Sequence, residues 1–181
     1  MKKTIIIAEA GVNHNGSLDT ALELVDVAAS SGADIVKFQF FRPTNLATKD
    51  AQLAKYQCDT SASVEHQVEL LEKLELSFSA LKELEKTCRA KKIEFLSSAF
   101  DVSSLKRLNT LNCKRVKVAS GELTNKPLLR TAAQSGLPII VSTGMADLDE
   151  IRWALDTIVS EGAPLCQVTL LHCTTNYPSR Y

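Results

Sequence analysis

The sequence has 181 residues, of which 45% are apolar and 23% are charged. These proportions predict one globular domain with a buried core and exclude a disordered chain. Twenty-one basic residues balance twenty-one acidic ones. The balance excludes a global field that would attract nucleic acid or an anionic membrane surface, so neither is expected as a partner.

The cysteines and the N-terminus predict a cytoplasmic protein. The five cysteines are odd in number and lack CxxC spacing, which favours reduced, buried thiols. Cys173 follows a predicted strand and is a candidate reactive thiol, although an inert thiol is the commoner interpretation. The apolar run Ile5–Ile7 ends before Glu9 and is shorter than the ~7–15 residues of a signal peptide core. No stretch reaches the ~18 apolar residues of a membrane helix.

Short apolar runs alternate with amphipathic segments along the chain. The first helical pattern begins at Ser17, a plausible N-cap, and ends at Gly32; a later one begins with Asp147 and Glu150 in capping-box spacing and ends at Gly162. The apolar runs lack polar alternation, as strands covered on both faces do. They are Ile5–Ala8, Asp34–Phe41, Glu94–Ser98, Arg115–Ala119, Pro138–Ser142 and Gln167–His172. This alternation predicts right-handed crossovers and a parallel sheet.

One segment departs from the alternation. A polar stretch (42–60) is followed by a helical pattern from Val64 to Leu74, and a second helix runs from about Ser79 to Lys91. Loops at the carboxyl ends of barrel strands build active sites, so we expect this insertion after the second strand to be functional.

The strand count leaves two architectures open. A closed (β/α) barrel has eight strands and typically about 250 residues, whereas six strands are predicted here. The chain is therefore either an open doubly wound sheet or the first part of a barrel, and periodicity alone does not decide between them.

Polar residues follow the end of each apolar run. Lysines, hydroxyl groups and glycine-flanked amides at these ends suit a small, highly charged phosphate ester. The residues are Glu9 with the GVNHNG run, Lys37 and Gln39, Ser98 and Phe100, Lys117 with Ser120 and Glu122, Ser142 with Thr143 and Gly144, and 172–177. In a parallel barrel these ends lie on one face, so we expect them to form one pocket.

Structural interpretations compete with the functional one. Each lysine could form an ion pair with Glu9 or Glu122 that serves only the fold. The Ser–Gly segments could be ordinary turns that cap helices. The three histidines lack metal-ligand spacing, and GVNHNG lacks the spacing of a nucleotide-binding loop.

The ordered motifs resemble the sialic acid synthase family, which includes legionaminic and pseudaminic acid synthases. The similarity covers essentially the whole chain, and the NHNG form favours the sialic and legionaminic branches. The motifs are IAEAGVNHNG, ADIVKFQ, AKYQ, LLEKLELS, FLSSAFD, VKVASGELTN, PIIVSTGMA and LLHCTTNYP.

The resemblance implies an enzyme that condenses phosphoenolpyruvate with N-acetylmannosamine or a related N-acyl sugar. The products would be a nine-carbon 2-keto acid and phosphate. Residues matched to phosphoenolpyruvate binding are Lys37, Ser98, Lys117, Ser120 and Ser142; those matched to the sugar side or the reacting centre are Glu9, Gln39, Phe100, Glu122 and Tyr177. Among these, Glu9, Lys37, Glu122 and Tyr177 are the candidate catalytic residues.

The chain departs from the family in two places. Ser98-Ala99 replaces a Thr-Pro pair found in many relatives, which keeps the hydroxyl. Thr175 replaces an Asn that contacts phosphoenolpyruvate in some relatives, so it is a weaker candidate for substrate binding.

The resemblance also implies parts that residues 1–181 do not contain. We expect the chain to be a barrel domain truncated near its sixth strand, without the C-terminal antifreeze-like domain of the family. A divalent metal, Mn or Mg, is expected in the full-length family, with its ligands beyond residue 181, and the full-length parent is expected to be a homodimer. The 181-residue chain alone is expected to be inactive.

Two other functions stay open at this point. A Schiff-base aldolase would use Lys37 or Lys117 as its nucleophile. Alternatively, the chain is a non-catalytic barrel fragment. The sequence does not indicate which carboxylate, Glu9 or Glu122, handles protons.

Overall fold

The computed structural model describes residues 4–53 and 66–175. Tyr177 and the AKYQ motif lie outside these residues. The described residues contain no helix with the length and apolar character needed to cross a membrane.

Six parallel strands form one sheet in the order β1-β2-β3-β4-β5-β6. Their bounds are Ile7–Gly11, Ile35–Phe40, Glu94–Ala99, Val116–Val118, Ile139–Ser142 and Val168–Leu171. A doubly wound sheet reverses its strand order at a switch point, whereas the order here follows the chain without reversal. This sequential order identifies the (β/α) barrel class through six strands and excludes the doubly wound alternative.

Seven helices are described between the strands. Their bounds are α1 Leu18–Ser30, α2 Pro43–Leu46, α3 Gln67–Leu74, α4 Phe78–Ala90, α5 Val102–Leu108, α6 Lys126–Ala133 and α7 Leu148–Ser160. The predicted caps are confirmed: Ser17 Oγ accepts a hydrogen bond from Thr20 N at 3.2 Å, and Asp147 forms a complete capping box with Glu150. The predicted helix at 64–74 is confirmed from Gln67 onward.

The chain forms two compact units, Met1–Ser97 with Leu111–Cys113 and Ser98–Thr110 with Lys114–Tyr181. In the first unit, α1 packs against α4, and the rings of Phe38 and Phe95 stack with centroids 6.1 Å apart. In the second unit, α6 packs against both α5 and α7. Its core contains Leu129 and Ile158, which are fully buried.

The first strand lies later in the chain than predicted. Ile5 and Ile6 are 49% and 54% exposed, and β1 continues to Gly11, which pairs with Phe38 of β2 after a register shift. Gly11 has φ +54°, so the extra residue forms a bulge at a position that favours glycine. Glu9 therefore lies inside the strand and not after it.

Candidate active site at the carboxyl ends of the strands

The ends of β1 and β2, called here the front region, contain Glu9, Gly11, Lys37 and Gln39. Glu9 and Lys37 are register partners, so both side chains leave the same face of the sheet. The Lys37 ammonium forms an ion pair with Glu9 Oε2. The Lys37 side chain is 12% exposed and that of Glu9 is 48% exposed, so the acid faces solvent while the base is mostly covered.

Gly11 keeps space open beside this ion pair. A Cβ atom at this position would lie 2.9 Å from Glu9 Oε1 and 3.8 Å from Gln39 Nε2. The structure therefore brings Glu9, Lys37 and Gln39 together around a glycine, and the Glu9–Lys37 ion pair is also the contact that the structural interpretation of Lys37 predicts.

The loop from β1 to α1 is organised by His14. This residue is 1% exposed, and its Nδ1 accepts a hydrogen bond from Gly16 N at 3.0 Å. The proton of the neutral ring is therefore on Nε2, which has no hydrogen-bond partner among the described residues. Burial lowers the pKa of His14, and the nearby Gly11 backbone partly opposes this shift, so the ring is neutral at neutral pH.

The ends of β4, β5 and β6, called here the rear region, contain Lys117, Ser120, Ser142, Gly144 and Cys173. Lys117 is 5% exposed. Its ammonium donates to Ser142 Oγ at 2.6 Å and to the Val118 carbonyl at 2.6 Å. Ser98 on β3 is the register partner of Lys117 and is buried. The second unit thus places three predicted substrate-binding residues on neighbouring strands.

Ser120 and Gly144 connect two strand-end loops of this region. Ser120 Oγ accepts a hydrogen bond from Gly144 N at 3.0 Å and lies 3.6 Å from Cys173 Sγ. A Cβ at position 144 would lie 2.8 Å from Thr175 Cγ2 and 3.0 Å from Ser120 Oγ. Any side chain at position 144 would therefore require Thr175 or Ser120 to shift.

Hydrogen bonds lower the pKa of the Cys173 thiol. Burial raises its pKa, but the hydrogen bonds outweigh burial and bring the pKa below the ordinary value of 9.0. They involve the hydroxyls of Ser120 and Ser142 and the backbone of Thr143 and Gly144. Burial instead raises the pKa of Cys88 and of Cys113 to about 12, in each case with a contribution from Glu85. Among the described cysteines the predicted burial is confirmed only for Cys88; Cys113 and Cys173 are half-buried, and Cys166 is exposed.

Glu122 belongs to a short 3₁₀ turn, Ser120–Glu122, and is held by Asn125. Asn125 Nδ2 donates to Glu122 Oε2 at 2.7 Å. Phe100, another candidate, is half-buried and follows β3. The adjacent Asp101 caps α5 through Ser104 N at 2.9 Å, which gives the last residue of FLSSAFD a structural role.

One residue next to the rear region, Asn125, has no role in the sequence prediction. Asn125 was included in a family motif without a role, although its place before a proline-containing helix start is typical of an N-cap. Gly144 is predicted at a strand end, but its close contact with Ser120 and Thr175 joins residues distant in sequence and has no local signal.

The described residues contain no group of three or more His, Cys, Asp or Glu side chains that could hold a metal ion. They do not fit a metal centre, so no step of the reaction proposed below is assigned to a metal. The expected divalent cation stays a prediction.

The strand order and the polar strand ends define a protein of the (β/α) barrel class. Residues 24–181 match the NeuB family, and the chain belongs to this family. It is 49% identical over 181 residues to an N,N'-diacetyllegionaminic acid synthase of Campylobacter jejuni. This match covers 100% of this chain and 54% of that protein. It is 47% identical over 178 residues to the enzyme of that name from Legionella pneumophila, covering 97% of this chain and 50% of that protein.

A solved structure supports the same assignment. The N-acetylneuraminic acid synthetase of Leptospira borgpetersenii, crystallised with citrate, superposes with a TM-score of 0.83 at 31% identity. The match covers 99% of this chain and 57% of that structure. The chain thus spans about half the length of the curated relatives that it matches. The predicted membership of the sialic acid synthase family is confirmed, and so is the barrel class of the fold.

Proposed function

We propose that the complete protein containing this chain condenses phosphoenolpyruvate with an N-acyl amino sugar. The products are a nine-carbon 2-keto acid and phosphate, and the C–O bond of phosphoenolpyruvate is the one broken. The observation that carries the proposal is the buried Lys117 ammonium, which donates a hydrogen bond to the Ser142 hydroxyl at the carboxyl end of β5. Two relatives named as diacetyllegionaminic acid synthases support this substrate class.

The rear region supplies groups that suit a phosphate ester. Lys117 provides a positive charge, and Ser98, Ser120 and Ser142 provide hydroxyls on the strands and turns beside it. Charge-assisted hydrogen bonds of this type are stronger than neutral ones, particularly where water is excluded. These residues would therefore bind phosphoenolpyruvate and hold its C3 toward the sugar aldehyde.

The front region supplies a cation and an acid that are already paired. Lys37 would contribute charge toward the same substrate, and Glu9 would contact sugar hydroxyls or move a proton. Glu122 is the second carboxylate suited to that role. Gln39, Phe100 and Tyr177 complete the proposed set on the sugar side, and Thr175 the set for phosphoenolpyruvate.

In the proposed reaction, C3 of phosphoenolpyruvate attacks the aldehyde carbon and the aldehyde oxygen takes up a proton. Water then adds to C2 and gives a tetrahedral intermediate. This intermediate expels phosphate together with the bridging oxygen and leaves the 2-keto group. The protein's residues bind and orient the reactants and hold protons near the carboxylates of Glu9 and Glu122.

Turnover in oxygen-18 water tests this mechanism. Phosphate released by C–O cleavage keeps the bridging oxygen of the substrate, so mass spectrometry should find it unlabelled, while the keto acid carries the label. Labelled phosphate would reject the mechanism. Borohydride added with the keto acid should leave the mass of the protein unchanged, because a covalent adduct forms only in the aldolase alternative.

A further inference from the structure

We propose that Asn125 is a positioning residue that fixes the carboxylate of Glu122 for the reaction. The inference rests on the proposed function, because it assigns a role toward the sugar to Glu122. Asn125 does not touch substrate in this proposal. It acts through the orientation of its neighbour.

The hydrogen bonds of Asn125 define the orientation of its amide group. Its Oδ1 accepts from Leu128 N at 3.2 Å, a backbone group that can only donate. The nitrogen therefore faces the other way, and it donates to Glu122 Oε2 at 2.7 Å. Rotating the amide by half a turn would break both hydrogen bonds, so the pair of contacts selects one conformation.

Asparagine alone meets both requirements at this position. Asp is an equally good N-cap, but its carboxylate would repel Glu122. Ser also caps helices, but its side chain lacks the amide that reaches Glu122. The helix start itself needs a cap, because the Leu128 amide belongs to the first turn of α6 and has no partner within the helix.

The contact holds one end of a turn that carries two candidate site residues. Ser120 begins the 3₁₀ turn and is held by Gly144 N at 3.0 Å, while Glu122 ends it and is held by Asn125. Within the described residues, Glu122 Oε1 makes no hydrogen bond or ion pair, so this oxygen is available to substrate. Loss of Asn125 should therefore release the carboxylate and leave Ser120 in place.

Two substitutions separate the roles of Asn125 in the complete protein. Asn125→Asp keeps the cap and replaces the donor with a repelling carboxylate, whereas Asn125→Ser keeps the cap and removes the donor. We expect Asn125→Asp to lower kcat/KM for the N-acyl sugar by about tenfold to hundredfold, because small displacements of a catalytic group have effects of this size. Asn125→Ser should have a smaller effect in the same direction, and the KM for phosphoenolpyruvate should stay within about twofold of wild type in both variants.

The matched control is Asp147→Ser, which alters the N-cap of α7 without touching Glu122. If it produced the same selective loss toward the sugar, or if both Asn125 variants had wild-type kinetics, the positioning role would be overturned. An equal loss toward both substrates would also overturn it, since that pattern indicates general damage to the fold.

A second measurement separates this inference from the proposed function. If the wild-type protein forms no keto acid from the two substrates, the proposed function fails. A urea-unfolding cycle of Glu122→Ala, Asn125→Ser and the double variant then tests the contact alone. Non-additive unfolding free energies are expected; additive ones would show that Asn125 does not hold Glu122, whatever the reaction.

Discussion

The front and rear regions each contain a lysine ammonium, and different groups stabilise it in each region. In the front region a half-exposed carboxylate neutralises Lys37. In the rear region the Lys117 ammonium lies deeper and donates to a hydroxyl and a carbonyl oxygen. Both regions lie at strand ends, and both contain a lysine on a β-strand.

His14, in the loop after β1, and Cys173, in the rear region, both have lowered pKa values, but for different reasons. The pKa of His14 is lowered because burial disfavours its charged form, whereas the pKa of Cys173 is lowered because hydrogen bonds stabilise its charged form. The rear region therefore stabilises negative charge at Cys173, which suits the anionic substrate proposed for it. In the front region, the positive charge of Lys37 is already balanced by Glu9.

The largest expected effect distinguishes the two lysines. Lys117→Ala and Lys37→Ala should each reduce kcat/KM for phosphoenolpyruvate by well over tenfold, because removing one partner of a buried charged contact costs about 2–5 kcal/mol. Lys117→Ala should have the larger effect, because the positive charge of Lys37 is partly neutralised by its ion pair with Glu9. Steady-state kinetics of the complete protein test the order. Near wild-type values for both variants would contradict the assignment of either lysine to this substrate.

The second-largest expected effect is on stability, at the close contact around Gly144. Gly144→Ala should lower the free energy of unfolding by about 1–3 kcal/mol, because its Cβ would overlap Thr175 and Ser120. Gly121→Ala is the matched control, since a Cβ there meets nothing within 4 Å. Its unfolding free energy in urea should change by less than about 0.5 kcal/mol. Equal effects of the two substitutions would show that the rear region is not tightly packed.

The reactivity of Cys173 tests the electrostatics of the rear region. Its alkylation by iodoacetamide should reach half its maximal rate below pH 9.0, the ordinary thiol pKa, because the thiolate is the reacting species. Ser120→Ala removes one stabilising hydroxyl and should move the midpoint to higher pH. Cys88 and Cys113, whose pKa burial raises to about 12, should react much more slowly than Cys173 over the same pH range. Peptide mapping by mass spectrometry reports each site, and an unchanged midpoint in the variant would exclude Ser120 as the cause.

The smallest effect concerns His14, in the loop that follows β1. Its pKa in the folded protein lies below the ordinary value of 6.5, so the unfolded chain takes up the proton first as the pH falls. The stability from burying the neutral ring is complete above pH 6.5 and declines below it. His14→Gln should lose this pH dependence when urea unfolding is compared on both sides of that value. If the unfolding free energies of both proteins had the same dependence on pH, groups other than His14 would be its cause.

The fold could be predicted from the sequence because parallel strands and their helices have local signals. Apolar runs predicted all six strands, and Ser17, Asp147 and Glu150 marked two helix starts. The error at β1 arose because hydrophobicity pointed to Ile5 and Ile6, whereas hydrogen bonding with β2 extends the strand to Gly11. The barrel class required the strand order, which no local pattern contains.

The candidate site was predictable in its residue types but not in its contacts. Lys117 and Ser142 were selected because both are polar residues at strand ends, and the structure joins them. The contact of Ser120 with Gly144 and Cys173 depends on how three loops pack, and no spacing along the chain specifies that. The AKYQ motif and Tyr177 lie outside the described residues, so their roles stay predictions.

The double use of Asn125 has a consequence for variant libraries. Asp or Ser at this position still caps α6, so such variants should fold, lose only the stability that the contact with Glu122 contributes, and pass a screen for folded protein. The same variants lose the donor to Glu122 and should fail a screen for product. Position 125 would therefore score as tolerant in a folding assay and intolerant in a growth selection that depends on the nine-carbon sugar acid.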